Sequence, residues 1–341
     1  MPPWFNRFRG SIDLGAGSNQ LTSKIMSQDY LGMHSLVFQN ECIRVRVIPE
    51  LGCKIVEIYD LENGHEWLWS DKSRPIKPAT YGDPYDLYDI SGFDECFPNI
   101  GISQDPKNTQ VTLPDHGEIW SLPWAVTEEE YGLSASVVGK LYDYLFSRKI
   151  SLNANKLNME YSILNSGSTD ISYMWSAHPL FLIDEDMKIE ITGNPKMSKE
   201  FGYGGRIGAD GDNWYEGHLT EHVWPRVLGA DGQINDMSEV SLDKVVTDKV
   251  VLDSPVDGQV TLKKLSSGRS LIMKFSPSDT PYLGICYNFG AWPLTGEPAT
   301  WVALEPTTGK TDRLDECAEL DCIRVLAPKA TATWSLEIEL N

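Results

Sequence analysis

The chain has 341 residues, 41% of them hydrophobic, so it can bury a large core as one all-β unit or as two ordinary domains. Its 49 acidic residues outweigh its 29 basic ones and give a formal net charge of −20. Because this charge repels polyanions, we expect no nucleic-acid partner and no anionic-membrane partner, and a neutral small molecule is the better candidate ligand.

The N-terminal residues differ from the rest of the chain. Residues 1–27 are rich in Gly, Ser and Asn with little periodicity, which predicts a loose N-terminal arm. Beyond it, Ile43, Val45 and Val47 alternate with arginines and predict a strand with one apolar face. We expect residues 28–341 to form a single domain.

A long loop is predicted between residues 70 and 114, where Pro, Gly, Asp and Tyr are dense. Ordered loops of this length in compact domains are often functional. Within it, Asp94 and Glu95 stand beside aromatic residues. Two adjacent carboxylates in such a setting suit the hydroxyl groups of a sugar, or else they form a solvated turn.

Short strand-like runs recur through the rest of the chain, at residues 133–138, 145–152, 157–164, 271–275 and 333–340. No amphipathic helix of about twelve residues, internal repeat or linker is visible in the sequence. This pattern predicts an all-β fold, either a sandwich or a barrel, with few or no long helices.

Glu305 is the first candidate for chemistry. It follows the alternating apolar run 299–304 and precedes Pro306, which cannot donate a ladder hydrogen bond, so we expect the strand to end there. Apolar neighbours desolvate a carboxylate, and a desolvated carboxylate suits a general base. The alternative is a glutamate at a strand end that meets solvent.

Two histidines have comparable settings. His178 directly precedes a proline at the end of a predicted strand, which mirrors the position of Glu305. Two strands that each present a titratable group can face each other across a cleft and supply an acid and a base. His116 lies beside Gly117, which permits a close approach, and near Trp120, a flat apolar surface. For each histidine the alternative is a structural role.

Metal and cofactor motifs are weak in this sequence. His218 and His222 have the i, i+4 spacing of a helical zinc site, but Gly217 and Pro225 flank them and oppose a helix. Neither a Gly-rich phosphate loop nor a Gly-x-Ser-x-Gly nucleophile elbow occurs. We therefore expect neither a metal nor a cofactor.

Cysteine usage and the absence of targeting signals favour the cytoplasm. The six cysteines are scattered without a CxxC pair, which predicts reduced thiols. The N-terminus has no apolar signal core, no stretch approaches the length of a membrane helix, and no Asn-x-Ser/Thr sequon occurs.

Three motifs, at residues 113–120, 176–181 and 303–309, together with residues 91–99 upstream, make the chain resemble the aldose 1-epimerase (galactose mutarotase-like) family. The resemblance runs from about residue 35 to the end. It implies a single large antiparallel β-sandwich that binds a small-molecule sugar in a shallow cleft, and an enzyme that interconverts the α and β anomers of a free aldose.

The same resemblance assigns roles to residues. It makes Glu305 the base that takes the proton from the anomeric hydroxyl and His178 the acid that protonates the ring oxygen, so His178 should hold a proton. It places His116 against the sugar, where it can share the contact with the ring oxygen. Independently of the resemblance, the flat apolar surface of Trp120 in the same motif is a further candidate to contact the sugar. Many members of the family carry an arginine after the Phe-Pro motif, where this chain has Ile102, so Asp94 and Glu95 are the candidates to replace it.

Two other functions remain open at this point. A hexose-6-phosphate 1-epimerase requires a cationic pocket, for which Arg74, Arg206, Arg226 and Arg313 are available although they form no cluster in the sequence. A non-catalytic carbohydrate-binding or sugar-sensing module could use the same scaffold, since a fold does not fix a function. The sequence does not name the sugar or the oligomeric state.

Overall fold

The computed structural model of the protein describes residues 25–71, 73–129, 132–212, 221–292 and 298–341. Within these ranges the chain forms 27 strands, two 3₁₀ helices (Tyr85–Leu87 and Ile119–Ser121) and one six-residue α-helix, α1 (Leu314–Glu319). The first strands are β1 (Met26–Tyr30), β2 (Met33–Gln39), β3 (Ile43–Ile48), β4 (Lys54–Asp60), β5 (His65–Glu66), β6 (Phe93–Cys96), β7 (Ser103–Asp105), β8 (Asn108–Leu113), β9 (Ala125–Glu129), β10 (Gly132–Val138), β11 (Tyr144–Asn153), β12 (Lys156–Asn165), β13 (Ile171–Tyr173) and β14 (Ser176–Leu182).

The remaining strands are β15 (Met187–Ile191), β16 (Lys196–Tyr203), β17 (Gly211–Asp212), β18 (Glu221–Val223), β19 (Arg226–Leu228), β20 (Ile234–Asp236), β21 (Val246–Asp253), β22 (Gln259–Lys264), β23 (Ser270–Phe275), β24 (Tyr282–Phe289), β25 (Thr300–Thr307), β26 (Arg324–Leu326) and β27 (Thr331–Leu340). Among the described residues, no helix reaches the length and apolarity that crossing a membrane requires.

Two large antiparallel sheets form the body of the protein. The first has the order β1-β2-β3-β4-β6-β14-β25-β24-β21-β16-β18-β19-β20, with β5 on β4 and β17 on β16, and the second has the order β15-β22-β23-β27-β12-β11-β10-β9. The main apolar cluster joins both sheets, with Phe38 and Val302 from the first packed in one core with Phe146 and Leu336 from the second. The predicted all-β antiparallel sandwich with few helices is confirmed.

Strand β25 shows how the alternating pattern sorts side chains between the two faces of the first sheet. Val302 and Leu304 lie in the core between the sheets. Trp301 and Ala303 belong to a separate apolar cluster on the other face, and by the same alternation Glu305 faces that way too. Glu305 therefore lies on the outer face of the first sheet, away from the core between the sheets.

Both prolines predicted to end a strand instead lie inside one. Strand β25 continues past Pro306 to Thr307, and β14 continues past Pro179 to Leu182. A proline removes only its own donor, and the ladder resumes at the next paired residue. Thr307, for example, is in register with strands on both of its sides.

Three other predictions need adjustment or lie outside the described part of the chain. Residues 1–24 of the predicted arm are outside it, whereas Met26 and Ser27 already belong to strand β1. The predicted loop 70–114 contains three short strands, β6, β7 and β8. His218 is also outside the described residues, and His222 lies in strand β18 rather than in a helix.

The core between the sheets contains a buried ionic network around Glu95. Its Oε1 accepts hydrogen bonds from Arg148 Nη1 at 2.7 Å and from the Tyr161 hydroxyl at 2.9 Å, and its Oε2 accepts one from Trp175 Nε1 at 2.8 Å. The side chains of Glu95 and Arg148 are both 0% exposed. Glu95 therefore ties the first sheet to the second, and the prediction that it binds a sugar is wrong because both of its oxygens are used inside the core.

We predict that Glu95→Gln lowers the free energy of unfolding by about 3–5 kcal/mol, because it leaves Arg148 as an uncompensated buried charge. Urea denaturation monitored by tryptophan fluorescence measures this change. The matched control is Asp170→Asn, since the pair of Asp170 with Lys107 is about half exposed and should contribute about 0–1 kcal/mol. Equal losses in the two variants would contradict the structural role of Glu95.

Candidate functional site

A cavity of about 600 Å³ opens on the outer face of the first sheet. Its floor is formed by the central strands β14, β25, β24, β21 and β16, and its walls by the segments 85–90, 100–101, 115–116 and 291–292. The titratable side chains that line it include Asp115, His116, His178, Lys249, Glu305 and Asp312. Apolar residues form much of the remaining wall, including Ile90, Leu180, Phe201, Trp292 and Trp301.

Strand register brings the two predicted proton-transfer residues together. Ser176 is paired with Thr307, and Leu180 with Ala303, so His178 and Glu305 occupy facing positions between these two pairs. Both side chains line the cavity. The predicted meeting of an acid and a base on neighbouring strands therefore has its geometric basis in the β14–β25 ladder.

Glu305 is fully buried and forms an ion pair that the sequence did not reveal. Its Oε2 accepts a hydrogen bond from Lys249 Nζ at 2.7 Å, and the same Nζ lies 2.7 Å from Asp312 Oδ1. Its Oε1 is buried and has no hydrogen-bond partner among the described residues. One oxygen is thus held by the protein and the other is free for a ligand.

A glycine makes room for this ion pair. Gly284 on β24 is directly opposite Glu305 in the ladder. A Cβ at this position would lie 3.3 Å from Glu305 Oε2 and 3.5 Å from Lys249 Cε. The missing side chain allows Lys249, which comes from the next strand, to reach across β24 to the carboxylate.

The buried charges in this group shift one another's pKa. Burial raises the pKa of Glu305, and Lys249 acts against this by stabilising the carboxylate. Burial disfavours the charged form of Lys249, but the two carboxylates of Asp312 and Glu305 outweigh it and hold the Lys249 pKa well above its ordinary value. Lys249 is therefore a permanent cation beside Glu305.

His178 is almost completely buried, at 8% exposure, and its Nδ1 has no hydrogen-bond partner among the described residues. Burial, with a further contribution from nearby His116 and Lys249, lowers the pKa of His178 well below its ordinary value. The imidazole is consequently neutral near pH 7. This setting does not support the expectation that His178 holds a proton.

His116 is held by the loop that leads into it. His116 and Gly117 both adopt positive φ, at 57° and 70°, and a Cβ on Gly117 would lie 2.1 Å from the carbonyl oxygen of Phe97. His116 Nδ1 is 2.8 Å from Asp115 Oδ1, and its ring stacks on Tyr85 at 4.0 Å between centroids. Its hydrogen bond to Asp115 leaves Nε2 available to the cavity.

Asp94 and Trp120 support the wall of the cavity rather than line it. Asp94 Oδ2 accepts a hydrogen bond from the Tyr85 hydroxyl at 2.7 Å and lies 3.0 Å from Lys54 Nζ. Trp120 packs edge-on against Tyr85 and donates from Nε1 to the backbone oxygen of Asp115 at 2.9 Å. Of the predicted site residues, His116, His178 and Glu305 line the cavity. Asp94 and Trp120 do not line it, and they instead hold Tyr85 and Asp115 in place.

Sequence reasoning missed Tyr85, Asp115, Lys249 and Asp312. Asp115 lies in the same motif as His116, so the sequence did contain a signal for its contact with that histidine. Lys249 had a weaker signal, a charged residue in the largely apolar strand 246–253. Asp312 and Tyr85 lie in loop composition, where no periodicity exists to indicate which way a side chain points.

Comparisons with known proteins locate this fold among solved structures. No family model and no curated protein sequence matches the chain. A galactose mutarotase-like protein from Clostridium acetobutylicum is 14% identical to it, and the match covers 94% of this chain and 99% of that one with a TM-score of 0.67. A galactose mutarotase-like protein from Lactobacillus casei is 18% identical, with 90% and 100% covered and a TM-score of 0.64.

A galactose mutarotase related enzyme from Lactobacillus acidophilus gives a similar result, with 14% identity, coverage of 90% of this chain and 97% of that one, and a TM-score of 0.64. Identities this low bear on the fold and not on the activity. The resemblance predicted from the sequence is confirmed at the level of architecture, and the chain has the galactose mutarotase-like fold.

Proposed function

We propose that the protein is an aldose 1-epimerase that interconverts the anomers of a free aldose. The observation that carries this proposal is the free Oε1 of the buried Glu305, which lines the same cavity as His116 and His178. A carboxylate with one oxygen fixed and the other open is suited to removing a proton from a bound hydroxyl group.

The proposed reaction begins at the anomeric hydroxyl. Glu305 takes its proton, the electrons of that O–H bond form the C1 carbonyl, and the bond between C1 and the ring oxygen breaks. The ring oxygen takes up a proton from a histidine. Rotation about the C1–C2 bond followed by the reverse steps closes the ring with the opposite configuration, and both protons return to the groups that supplied them.

Of the two histidines, we assign the acid role to His116 and a hydrogen-bonding role to His178, which reverses the roles suggested by the sequence. Asp115 is in contact with His116, and a carboxylate compensates the positive charge that an imidazole gains with a proton. The His116 hydrogen bond in turn keeps the pKa of Asp115 below its ordinary value, despite burial. The neutral His178 can still donate one ring N–H to a sugar oxygen.

The energetic demand on this site is modest. Mutarotation proceeds spontaneously in water, and a positioned acid or base each contributes roughly 10²–10⁴-fold to a rate. The three side chains in the cavity can therefore account for a useful acceleration through proton transfer alone.

The charges around the cavity argue against a sugar phosphate as substrate. Among the described residues that line it, Lys249 is the one Lys or Arg, and two carboxylates already compensate it. Of the candidate arginines, Arg206 pairs with Asp248. Arg74 pairs with Asp71, and Arg313 pairs with Asp315. Arg226 is exposed on strand β19 and is not among the residues that line the cavity. A free sugar is the better fit.

A purely sugar-binding module is the remaining alternative, and the buried charges weigh against it. Burial of a carboxylate costs several kcal/mol before its partner compensates, and binding a neutral sugar does not require it. Hydroxyl groups, amides and aromatic faces would bind at a lower cost. A buried carboxylate such as Glu305 is instead suited to proton transfer, because burial makes it a stronger base.

We predict that Glu305→Gln still binds the sugar but loses at least about 10²-fold in the rate of anomer exchange, because the amide cannot accept the proton. NMR exchange spectroscopy measures the rate, and titration calorimetry measures the binding. The matched control is Glu66→Gln, a largely buried glutamate of β5 whose Oε1 accepts backbone hydrogen bonds outside the cavity. Full activity in Glu305→Gln would rule out its role as the base.

We predict that Lys249→Met moves the acidic limb of the pH profile of kcat/KM to higher pH. Lys249 lowers the pKa of Glu305 and Asp312 raises it, so removal of the cation makes the base harder to ionise. The base is then active only at higher pH. The control is Lys274→Met, which removes an ion-paired lysine from the second sheet. An unchanged acidic limb in Lys249→Met would contradict this electrostatic role.

We predict that His178 remains neutral when the pH is lowered through about 6.5, the ordinary pKa of an imidazole. The ring ¹⁵N chemical shifts report this directly. Because the unfolded chain takes up a proton that the native imidazole excludes, His178 also makes the protein less stable below that pH, and His178→Gln should reduce this loss. A midpoint of titration near 6.5 would refute the assignment.

A further inference from the structure

Two of the cysteines lie at the C-terminal end of helix α1, in a hydrogen-bonding pattern that brings their side chains together. Cys322 N donates to Cys317 O at 2.8 Å, and Asp321 N donates to Ala318 O at 3.2 Å. Asp321 has a φ of 54°. These are the two nested hydrogen bonds and the left-handed residue of a Schellman motif, which normally places the side chains at the positions of Cys317 and Cys322 in contact.

The contact is one between thiols. Cys322 packs against the apolar cluster that contains Cys317. Hydrogen bonding from the Cys317 thiol, helped by the backbone N–H of Lys310, lowers the pKa of the Cys322 thiol to about 7. The same bond and burial raise the pKa of the Cys317 thiol. Cys317 is fully buried, whereas Cys322 is partly exposed to solvent. A partly exposed thiol with a lowered pKa thus lies against a second thiol that can react with its oxidised form.

We propose that Cys317 and Cys322 form a reversible disulfide when the protein meets a hydroperoxide. The Cys322 thiol first loses its proton to solvent, and its thiolate attacks the OH oxygen of the peroxide. The O–O bond breaks, Cys322 becomes a sulfenic acid, and the other oxygen leaves as hydroxide or alkoxide and takes up a proton from solvent to give water or an alcohol. The Cys317 thiol then attacks the Cys322 sulfur, the S–S bond forms, and the sulfenic oxygen leaves as water with the Cys317 proton. Two thiols are oxidised and one hydroperoxide is reduced.

The redox pair is linked to the cavity through the loop that follows β25. Cys317 Sγ lies 3.5 Å from both the hydroxyl and the carbonyl oxygen of Thr311, and it also approaches the position of Gly309. The next residue after Thr311 is Asp312, the partner of Lys249. Because disulfide formation draws Cys317 Sγ toward Cys322, it removes a contact that holds this loop.

The test treats the fully reduced protein with hydrogen peroxide, blocks the remaining thiols by alkylation and maps the peptides by mass spectrometry. We expect a single internal disulfide between Cys317 and Cys322, seen as the loss of two hydrogen atoms and reversed by dithiothreitol. Amide hydrogen exchange should become faster in residues 309–313 of the oxidised protein. The test needs no sugar and is independent of the proposed epimerase activity.

Variants separate this pair from the other thiols. Cys322→Ser should abolish the disulfide and the change in hydrogen exchange, and because Cys322 is partly exposed this variant should fold. Cys42→Ser is the matched control, since Cys42 is also partly exposed but burial raises the pKa of its thiol, and it should leave disulfide formation intact. Oxidation of Cys322 to a sulfinic acid without the bond to Cys317 would overturn the proposal, as would unchanged exchange in residues 309–313 after the disulfide forms.

Discussion

The candidate site depends on the burial of a carboxylate beside a cation. Glu305 lies on the outer face of a central strand where water is largely excluded, and a buried anion of this kind persists only when a partner compensates it. Lys249 is that partner. The ion pair fits only because Gly284 has no side chain, and Asp312 is the second carboxylate that compensates Lys249. The buried charge of Glu305 therefore constrains strand β24, strand β21 and the loop after β25. The remaining Glu305 oxygen, Oε1, is buried and has no hydrogen-bond partner among the described residues, so it can accept a hydrogen bond from a ligand in the cavity.

Loops with shared hydrogen bonds hold the other groups in place. The Asp312 carbonyl accepts hydrogen bonds from the backbone of Ile100 and Gly101, and the Ile100 carbonyl accepts one from His116. The loop that carries the histidine and the loop that carries the aspartate are therefore fixed to the same segment. The strands set the spacing of Glu305 and His178, and these loop contacts set the position of His116 relative to them. A displacement of one of these loops would therefore also displace the loops that are hydrogen-bonded to it.

The strand periodicity of the sequence was sufficient to predict an all-β sandwich or barrel, and the family resemblance narrowed this to a sandwich. The motif around Glu305 indicated a residue that the structure places in the candidate cavity. The alternation along β25 separates core from cavity side chains, and the structure shows that Glu305 belongs to the cavity side. Asp94 and Glu95 show the limit of this reasoning. Adjacent residues on a strand point to opposite faces, but nothing in the local sequence says which face is the core. Lys249 was missed because its partners are distant in sequence, and the neutrality of His178 follows from burial, which only the folded chain reveals.

The central claim is that this cavity moves protons on a bound sugar. NMR exchange spectroscopy on equilibrated free aldoses tests it most directly, because it compares the rate of α/β interconversion with and without the wild-type protein at unchanged anomer ratio. We predict that at least one free aldose exchanges faster with the protein than in buffer alone, and that the acceleration rises with the ionisation of Glu305. If every aldose that binds exchanges at the buffer rate, the cavity is a binding site and the proposed catalytic role of Glu305 is wrong.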